Sequence, residues 1–577
     1  MAAVQELEQH LGDPADPGRL ISCQRSTDLD QREQFPDAEC RELDRLGIPA
    51  HYAPRAWGGA LERLDTSAEL LRVVARRDLS LAIAHGKTFL GCVPVWVGGD
   101  DDQARRLAAD VVRGAVVSWG LTERDHGGDL AAGDVSAVRN SDGYVLDGEK
   151  WLINNARRNH LACVLARTSP DPGPRSHSVF LVERAALPSG AYVPLEPERL
   201  HGIRGADISG FRLHGAPVPA AARIGAEGHG LEIVLKSLLL TRAMCAGLSL
   251  GAADHGLGIA LRHATTVHRY GRPVIDLPQT RRLLADVLGD LLLAEALAVA
   301  AVRSVQALPG EVAVTSAAAK YLVPTLVQQA LTRFTELVGT RSLLVGATFA
   351  DACLQKLHRD HRIVGIFDGS TVVNLHALIN TFPFLNRSGP GYDPGSGPRS
   401  AALDAAVRRD AELPPLDLRA VELVPRRGAA LLAAVPAAAA TVRGLAGAPG
   451  VPAELVELTA WLAGACAAIG TAAAARRPAA RPPADDFALA QEVAGCVAGA
   501  AALHTWLANR HLAGTAAAGP LWDDALWVRS ALARLRARAT RREPAVAAWR
   551  DPLVEAVAAA GDVSLLRTEP TGRGVHP

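Results

Sequence analysis

The chain lacks a net charge: 61 lysines and arginines balance 61 aspartates and glutamates over 577 residues. A neutral chain has no overall field to hold it on nucleic acid or on an acidic membrane. Paired cysteines are also missing. Eight cysteines are scattered without a CxxC, most of them in apolar runs where they read as small core residues. Without a disulfide framework, a reducing cytoplasm is the expected compartment. Met1 to Asp13 has neither the basic start nor the apolar centre of a secretory signal. No GxGxxG follows a strand pattern, so a Rossmann dinucleotide site is not indicated, and no repeat recurs at a fixed period. Leu458 to Ala475 lacks charge over about the length of a membrane span. It is mostly Ala and Gly, which give little transfer energy, so a buried helix is expected there and no transmembrane segment.

Three short motifs lack the context that their chemistry needs. Gly247-Leu248-Ser249-Leu250-Gly251 matches the GxSxG nucleophile elbow but falls inside a long helical pattern, where a strand–turn–helix is required. Gly86-Lys87-Thr88 resembles the end of a phosphate loop, with Leu81 standing where the first Gly belongs. His358 and His361 sit three apart with no Cys or carboxylate pattern to complete a metal site, and are expected as paired surface histidines.

What is present is apolar residue, 49% of the chain, enough for large cores. At about 100–200 residues per domain the length suggests three or four domains. Residues 1–113 carry helical periodicity, notably Leu61 to Arg76 and Asp101 to Arg113, broken by a loop at Trp57-Gly58-Gly59. Residues 114–222 change texture. Short β-runs surround Asn140-Ser141-Asp142-Gly143, a hairpin signal, and recur at Leu161 to Ala166, Ser178 to Val182 and Phe211 to Leu213. Residues 223–385 return to long apolar-striped helices: Gly230 to His268, Arg281 to Leu308 and Ser316 to Val338. A Gly/Pro/Ser linker over 386–400 precedes an Ala-rich helical stretch over 401–577. The fold class is thus α+β and multidomain: an N-terminal helical domain, a central antiparallel β-barrel-like domain, a four-helix bundle and an extra all-α C-terminal domain.

Five segments, in order over roughly residues 40–385, resemble the acyl-CoA dehydrogenase family. Trp119-Gly120-Leu121-Thr122-Glu123, running on to Gly127-Gly128-Asp129, is similar to the family's "LTEP-x-x-GSD". Asp147 to Asn155 is similar to "NG-x-K-x-WITN". Gly202-Ile203-Arg204 with Val218-Pro219 resembles "G-x-R … V-x-VP". Thr241-Arg242 opens a helix that ends at Tyr270-Gly271-Arg272-Pro273. Arg359-Asp360 with Ile366 to Thr371 is similar to "RD … IYEGT". The C-terminal helices resemble, in position and character only, the extension of the very-long-chain members.

The resemblance implies an FAD-dependent α,β-dehydrogenation of an acyl thioester, carried by CoA or by a carrier protein, in specialised biosynthesis. A carboxylate takes the α-proton and the β-hydrogen leaves as hydride to the flavin. Asp368 occupies the base position, where the family has Glu. Thr241 stands at the alternative base position and cannot serve, so it is assigned with Arg242 and Gly369 to the substrate. The cofactor residues implied are Trp119, Leu121, Thr122, Gly127, Gly128, Leu152, Asn154 and Ser370 around the ring. Arg269, Tyr270, Glu336, Gly339 and Thr340 are implied at an adenosine site completed by a neighbouring subunit. That second set departs from the pattern: "R-x-x-F-G" appears as Val267 to Gly271, and Glu336 stands where Gln is usual, with Arg341 as its expected counter-charge.

Electron-transfer flavoprotein or oxygen is the implied electron acceptor, and a homodimer the implied assembly. Two alternatives stay open. An Asp at the base position also resembles the nitroalkane oxidases, which points to an oxygen-using flavoenzyme, such a nitroalkane oxidase or a monooxygenase. Some relatives with a C-terminal extension are non-catalytic or bind DNA, and the basic stretch Arg529 to Arg542 invites that comparison. The zero net charge favours a solvated helix face there instead.

Overall fold

Asn140 turns the chain at the centre of the β-region. In the computed structural model of the protein its Oδ1 accepts from the amides of Asp142 (3.0 Å) and Gly143 (2.9 Å), an Asx turn. Gly143 is required at that corner, because a Cβ there would lie 2.2 Å from the Val218 carbonyl oxygen. The structure describes residues 2–345, 353–387, 397–477, 479, 481–515, 519–543, 547–561, 564 and 565. Most of the linker expected over 386–400 therefore lies outside the described residues. The chain divides into two units, Met1–Met244 with Pro415–Ala420, and Cys245–Pro414 with Val421–Pro577.

The first unit holds eight strands: β1 Val117–Gly120, β2 Ser136–Arg139, β3 Gly143–Asn154, β4 Leu161–Arg167, β5 His177–Glu183, β6 Tyr192–Pro194, β7 Ile208–Pro219 and β8 Arg223–Ile224. They form one sheet in the order β6-β7-β3-β2-β4-β5-β8, with β1 also on β4. The sheet is mixed, which corrects the antiparallel expectation. β1 runs parallel to β4, Val117 opposite Leu161, and β2 meets β4 in parallel at Ser136 and Arg167. The cause is the length of chain between β1 and β4. It carries a loop and the whole β2–β3 hairpin, long enough to bring β4 back in the direction of β1. Tyr192 stacked on Phe211 at 4.8 Å and Tyr144 edge-on to Phe180 at 4.9 Å fill the core of this sheet.

Helix Leu79–Gly98 backs β1 and is buried along almost all its length. Gly91 allows the contact: a Cβ there would sit 2.5 Å from the Val117 carbonyl oxygen. Gly86-Lys87-Thr88 lies within this helix and forms no phosphate loop. Residues Pro415–Ala420 return to the same unit, where the Arg419 guanidinium bonds the Gly99 carbonyl at 2.9 Å and lies over Trp57.

The second unit is helical. Pro278–Ala307 and Val312–Val338 pair through a short turn, and Pro278–Ala307 is buried along 24 of its 30 residues. Helices from residues 401–577 supply much of that cover. Arg303 donates to the carbonyls of Ala405 and Arg408 at 2.7 Å each, and Asp290 takes both Arg534 and Arg538. The stretch Arg529 to Arg542 is therefore not simply a solvated face. Arg534 is buried between Asp290 and Glu543, and Arg529 faces Glu454. Such charges anchor the helix, since a buried guanidinium needs carboxylates around it.

Among the described residues, four helices are long and apolar enough to cross a membrane by length and composition: Leu79–Gly98, Gly230–Thr266, Ala453–Ala474 and Ala484–Leu512. Three bury 78–89% of their apolar window, but Ala453–Ala474 buries 33%. The expectation of a buried helix at Leu458 to Ala475 is thus corrected: only a third of the apolar window is buried. One stripe, Leu455, Leu458, Leu462 and Ile469, carries the packing, and the remaining alanines and glycines are too small to demand cover.

One ion pair fixes the loop between β1 and β2. Lys150 on β3 is buried; its Nζ donates to Glu123 at 2.7 Å and to the Leu121 carbonyl at 3.0 Å. Glu123 also accepts from the amides of Asp134 (2.6 Å) and Val135 (3.2 Å). Burial alone would lift the Glu123 carboxyl, but the Lys150 charge and these hydrogen bonds outweigh it and hold the group below its ordinary value. The pair's contribution is complete above the ordinary carboxylate range and fades as the pH falls through the depressed value. Lys150→Met strands a buried carboxylate and should cost about 3–5 kcal/mol. Thermal melts at neutral pH measure this, and the gap to the unaltered protein should narrow in acid as Glu123 becomes protonated.

Candidate active site

The loop that Lys150 holds carries the first group of expected site residues, all in the first unit. Thr122 and Trp151 bond reciprocally: the Thr122 hydroxyl donates to the Trp151 carbonyl (2.7 Å), and the Trp151 amide donates to the Thr122 carbonyl (3.0 Å). The Ser118 hydroxyl donates to the Asn154 carbonyl at 3.0 Å, joining β1 to the end of β3. Leu152 sits at a bulge between Trp151 and Ile153, with φ +57°, and is exposed. Trp151 is engaged by Glu198 at 2.7 Å and by the Arg124 guanidinium above its ring. Gly127 and Gly128 lie exposed in the loop.

Around that junction the Trp119 Nε1 and both side-chain amide atoms of Asn154 are buried and have no hydrogen-bond partner. Each such group costs about 1–3 kcal/mol, a cost that a polar ligand reaching them would remove. An amide offers a donor and an acceptor together, and the indole a second donor. This fits the mixed donor–acceptor edge of a flavin ring. Thr241 and Arg242 lie on the long helix Gly230–Thr266, both buried. The Thr241 hydroxyl donates to the Leu238 carbonyl at 3.4 Å, a bond within its own helix.

Asp368 belongs to the second unit. Helix Cys353–His361 runs into a 3₁₀ turn at Arg362–Gly365, and the chain then reverses through Asp368 (φ +55°) and Gly369 (φ +104°). Asp is one of the few non-glycine residues that take a left-handed backbone readily. Ser370, not Asp368, caps the next helix, Thr371–Ile379, its hydroxyl accepting from the Val373 amide. Asn374 donates to the carbonyls of Gly369 (2.8 Å) and Ser370 (2.9 Å). Buried Lys320 donates to the carbonyls of Val364 (2.7 Å) and Gly369 (3.3 Å), and its ammonium lies 5.3 Å from the Phe367 ring centre. A half-buried carboxylate thus stands on a turn pinned from two helices. The Cys245 thiol lies 3.5 Å from its Oδ2.

His361 corrects the expected surface pair. It is buried, bonded to the Ser249 hydroxyl (3.0 Å) and to Gln328 (2.9 Å), and burial with the nearby His358 and Lys320 charges pulls its pKa down to about 3. The serine of the GxSxG match is consumed in this contact inside a helix. Arg269 and Tyr270 form an exposed two-stranded corner, His268–Arg269 against Arg272–Pro273, with Tyr270 91% exposed. Glu336 pairs with Arg333 at 2.9 Å, one turn back, which replaces the counter-charge expected from Arg341. It lines a cavity of about 760 Å³ together with Gln279, Arg282, Arg538 and Arg541. Gly339 and Thr340 open the turn that follows, Gly339–Leu343.

Reasoning from sequence missed the groups that hold these residues in place: Glu123 and Lys150, and Lys320. Lys320 had a visible signal, a lone charge in the apolar run Ala317-Ala318-Ala319-Lys320.

The family models for the acyl-CoA dehydrogenase middle domain and C-terminal domain match residues 118–216 and 228–380. The chain is 30% identical over 267 residues to cyclohex-1-ene-1-carbonyl-CoA dehydrogenase of Geobacter metallireducens, covering 46% of this chain and 69% of that protein. Among solved structures, butyryl-CoA dehydrogenase from Megasphaera elsdenii aligns with a TM-score of 0.59 at 23% identity, over 65% of this chain and 95% of that one. The prolyl acyl carrier protein oxidase AnaB aligns with 0.57 at 21% identity, over 65% and 94%. These two share the fold.

The orphaned amide gives a direct test. Asn154→Leu removes a buried group that has no partner while keeping its approximate size. The flavin-free protein should gain about 1–3 kcal/mol in a denaturant titration, and its affinity for added FAD should fall. An unchanged or lowered stability of the flavin-free variant would mean that Asn154 is satisfied without ligand.

Proposed function

Because the chain belongs to the acyl-CoA dehydrogenase family, oxidoreductases acting on CH–CH bonds, we propose that it takes two hydrogens from adjacent carbons of an acyl thioester, with Asp368 as the base. The observation that carries this reading is the placement of Asp368: a half-buried carboxylate on a left-handed turn whose carbonyls are tied down by Lys320 and Asn374. A base that must meet one C–H bond gains most from being fixed in advance. FAD, when bound, supplies the hydride acceptor. Trp119, Thr122 and Asn154 would hold its ring, and the buried orphan atoms of Trp119 and Asn154 support that assignment.

Asp368 receives the α-proton on its carboxylate. The substrate's thioester oxygen must meanwhile accept fixed hydrogen bonds for the α-proton to become removable. The carboxylate of Asp reaches about 1.5 Å less far than that of Glu, one C–C bond, so the substrate carbon has to approach the turn more closely. Whether CoA or a carrier protein presents the acyl group is a matter of the thioester's far end, which Asp368 does not touch. The short base also supports a second reading, an oxygen-using flavoenzyme that deprotonates a more acidic carbon such as that of a nitroalkane.

Asp368→Asn keeps size and hydrogen bonding but removes the proton acceptor. Flavin bleaching by an acyl thioester, followed by rapid mixing under nitrogen, should fall by about three orders of magnitude while substrate still binds. Asp368→Glu should lose less. Undiminished bleaching in Asp368→Asn overturns the assignment. Bleaching of the unaltered enzyme by nitroethane but by no acyl thioester moves the reaction to the second reading.

A further inference from the structure

The carboxylate of an aspartate is poorly oriented by its own side chain. Its last torsion joins a tetrahedral to a planar carbon and has broad, roughly two-fold wells in place of three sharp ones. Lys320 and Asn374 bind carbonyls of the turn, and so fix where the Asp368 backbone lies. The Cys245 thiol contacts the carboxylate itself. It lies one helical turn beyond Thr241 on Gly230–Thr266, is buried, and its S–H donates to Asp368 Oδ2 across 3.5 Å.

We infer that Cys245 is a positioning residue for Asp368: its thiol holds the carboxylate in the plane from which it takes the substrate proton. The inference rests on the reading of Asp368 as the base. A thiol is a weak donor in water, but a carboxyl oxygen is a strong acceptor, and the thiol itself is buried where little water can compete for its hydrogen. Cysteine is also small. Its thiol joins an apolar body, suited to the neighbouring Ala243, Met244 and Ala246 on the same helix, to a donor. Were Cys245 only a core filler, a valine of similar shape would replace it without consequence.

Two measurements separate the roles. In the flavin-free protein, the infrared difference between the unaltered chain and Cys245→Val isolates the S–H stretch of this thiol from the other seven. It should lie at lower frequency than a thiol without a partner, and Asp368→Ala, which removes the acceptor, should move it upward. A band indifferent to Asp368→Ala overturns the inference, whatever the protein catalyses. In the FAD-loaded enzyme, with butyryl-CoA and octanoyl-CoA as probes, Cys245→Val should slow flavin reduction about fivefold, the worth of one modest hydrogen bond. The dissociation constant of the probe should not change. Cys245→Ser, which keeps a donor, should recover most of the rate. Equal rates in all three, or a deficit shared by Ser and Val, overturns the inference while leaving Asp368 as base. Retained reduction in Asp368→Asn instead removes the reading beneath it.

Discussion

A lysine ammonium taken out of water needs a carboxylate, and Lys150 has one in Glu123. The pair is costly in isolation, since both ions lose their hydration. What it secures is geometry. Glu123 is also the acceptor for two backbone amides, so one carboxylate closes the loop between β1 and β2 at both ends. With the loop closed, Thr122 meets Trp151, and Trp119 and Asn154 stand at a junction that the sheet alone would not create. The unsatisfied atoms there can persist because the surrounding bonds leave the chain no cheaper arrangement.

The turn at Asp368 follows a comparable logic with a different device. A left-handed residue followed by a left-handed glycine reverses the chain within two positions, and buried Lys320 replaces water as the donor to carbonyls that the reversal leaves over. The conformation discriminates among side chains before any chemistry does. Asp and Asn enter the left-handed region at small cost, whereas a longer carboxylate there carries a penalty on the order of 1 kcal/mol. Reach and backbone ease therefore pull in opposite directions at this position.

Much of this was legible in the sequence, for identifiable reasons. Long helices announce themselves by apolar spacing, and Gly230–Thr266 was expected to within a few residues. The hairpin at Asn140 was legible because its turn chemistry is local. Strand direction was not: the parallel pairing of β1 with β4 is decided by how far the chain travels between them, and no residue records that. Thr122, Asn154 and Asp368 are singled out by motif order alone. Their supports are not, since Lys150 and Glu123 are 27 residues apart and Lys320 and Gly369 are 49 apart. Surface or interior placement of charged and polar residues was the weakest reading. His361 and Arg534 are buried because partners distant in the chain satisfy them, and composition shows no partners.

The helix Pro278–Ala307 is apolar nearly all round and is covered in part by helices that include Ala484–Asn509, Leu526–Thr540 and Arg550–Ala560. Those segments follow it in the chain and are made after it. At roughly 5–20 residues per second, a ribosome needs on the order of ten to fifty seconds to travel from the end of Pro278–Ala307 to the end of Arg550–Ala560. During that interval a long apolar surface stands without its final cover. The order of synthesis, as much as the finished packing, thus sets how long that surface waits for its cover.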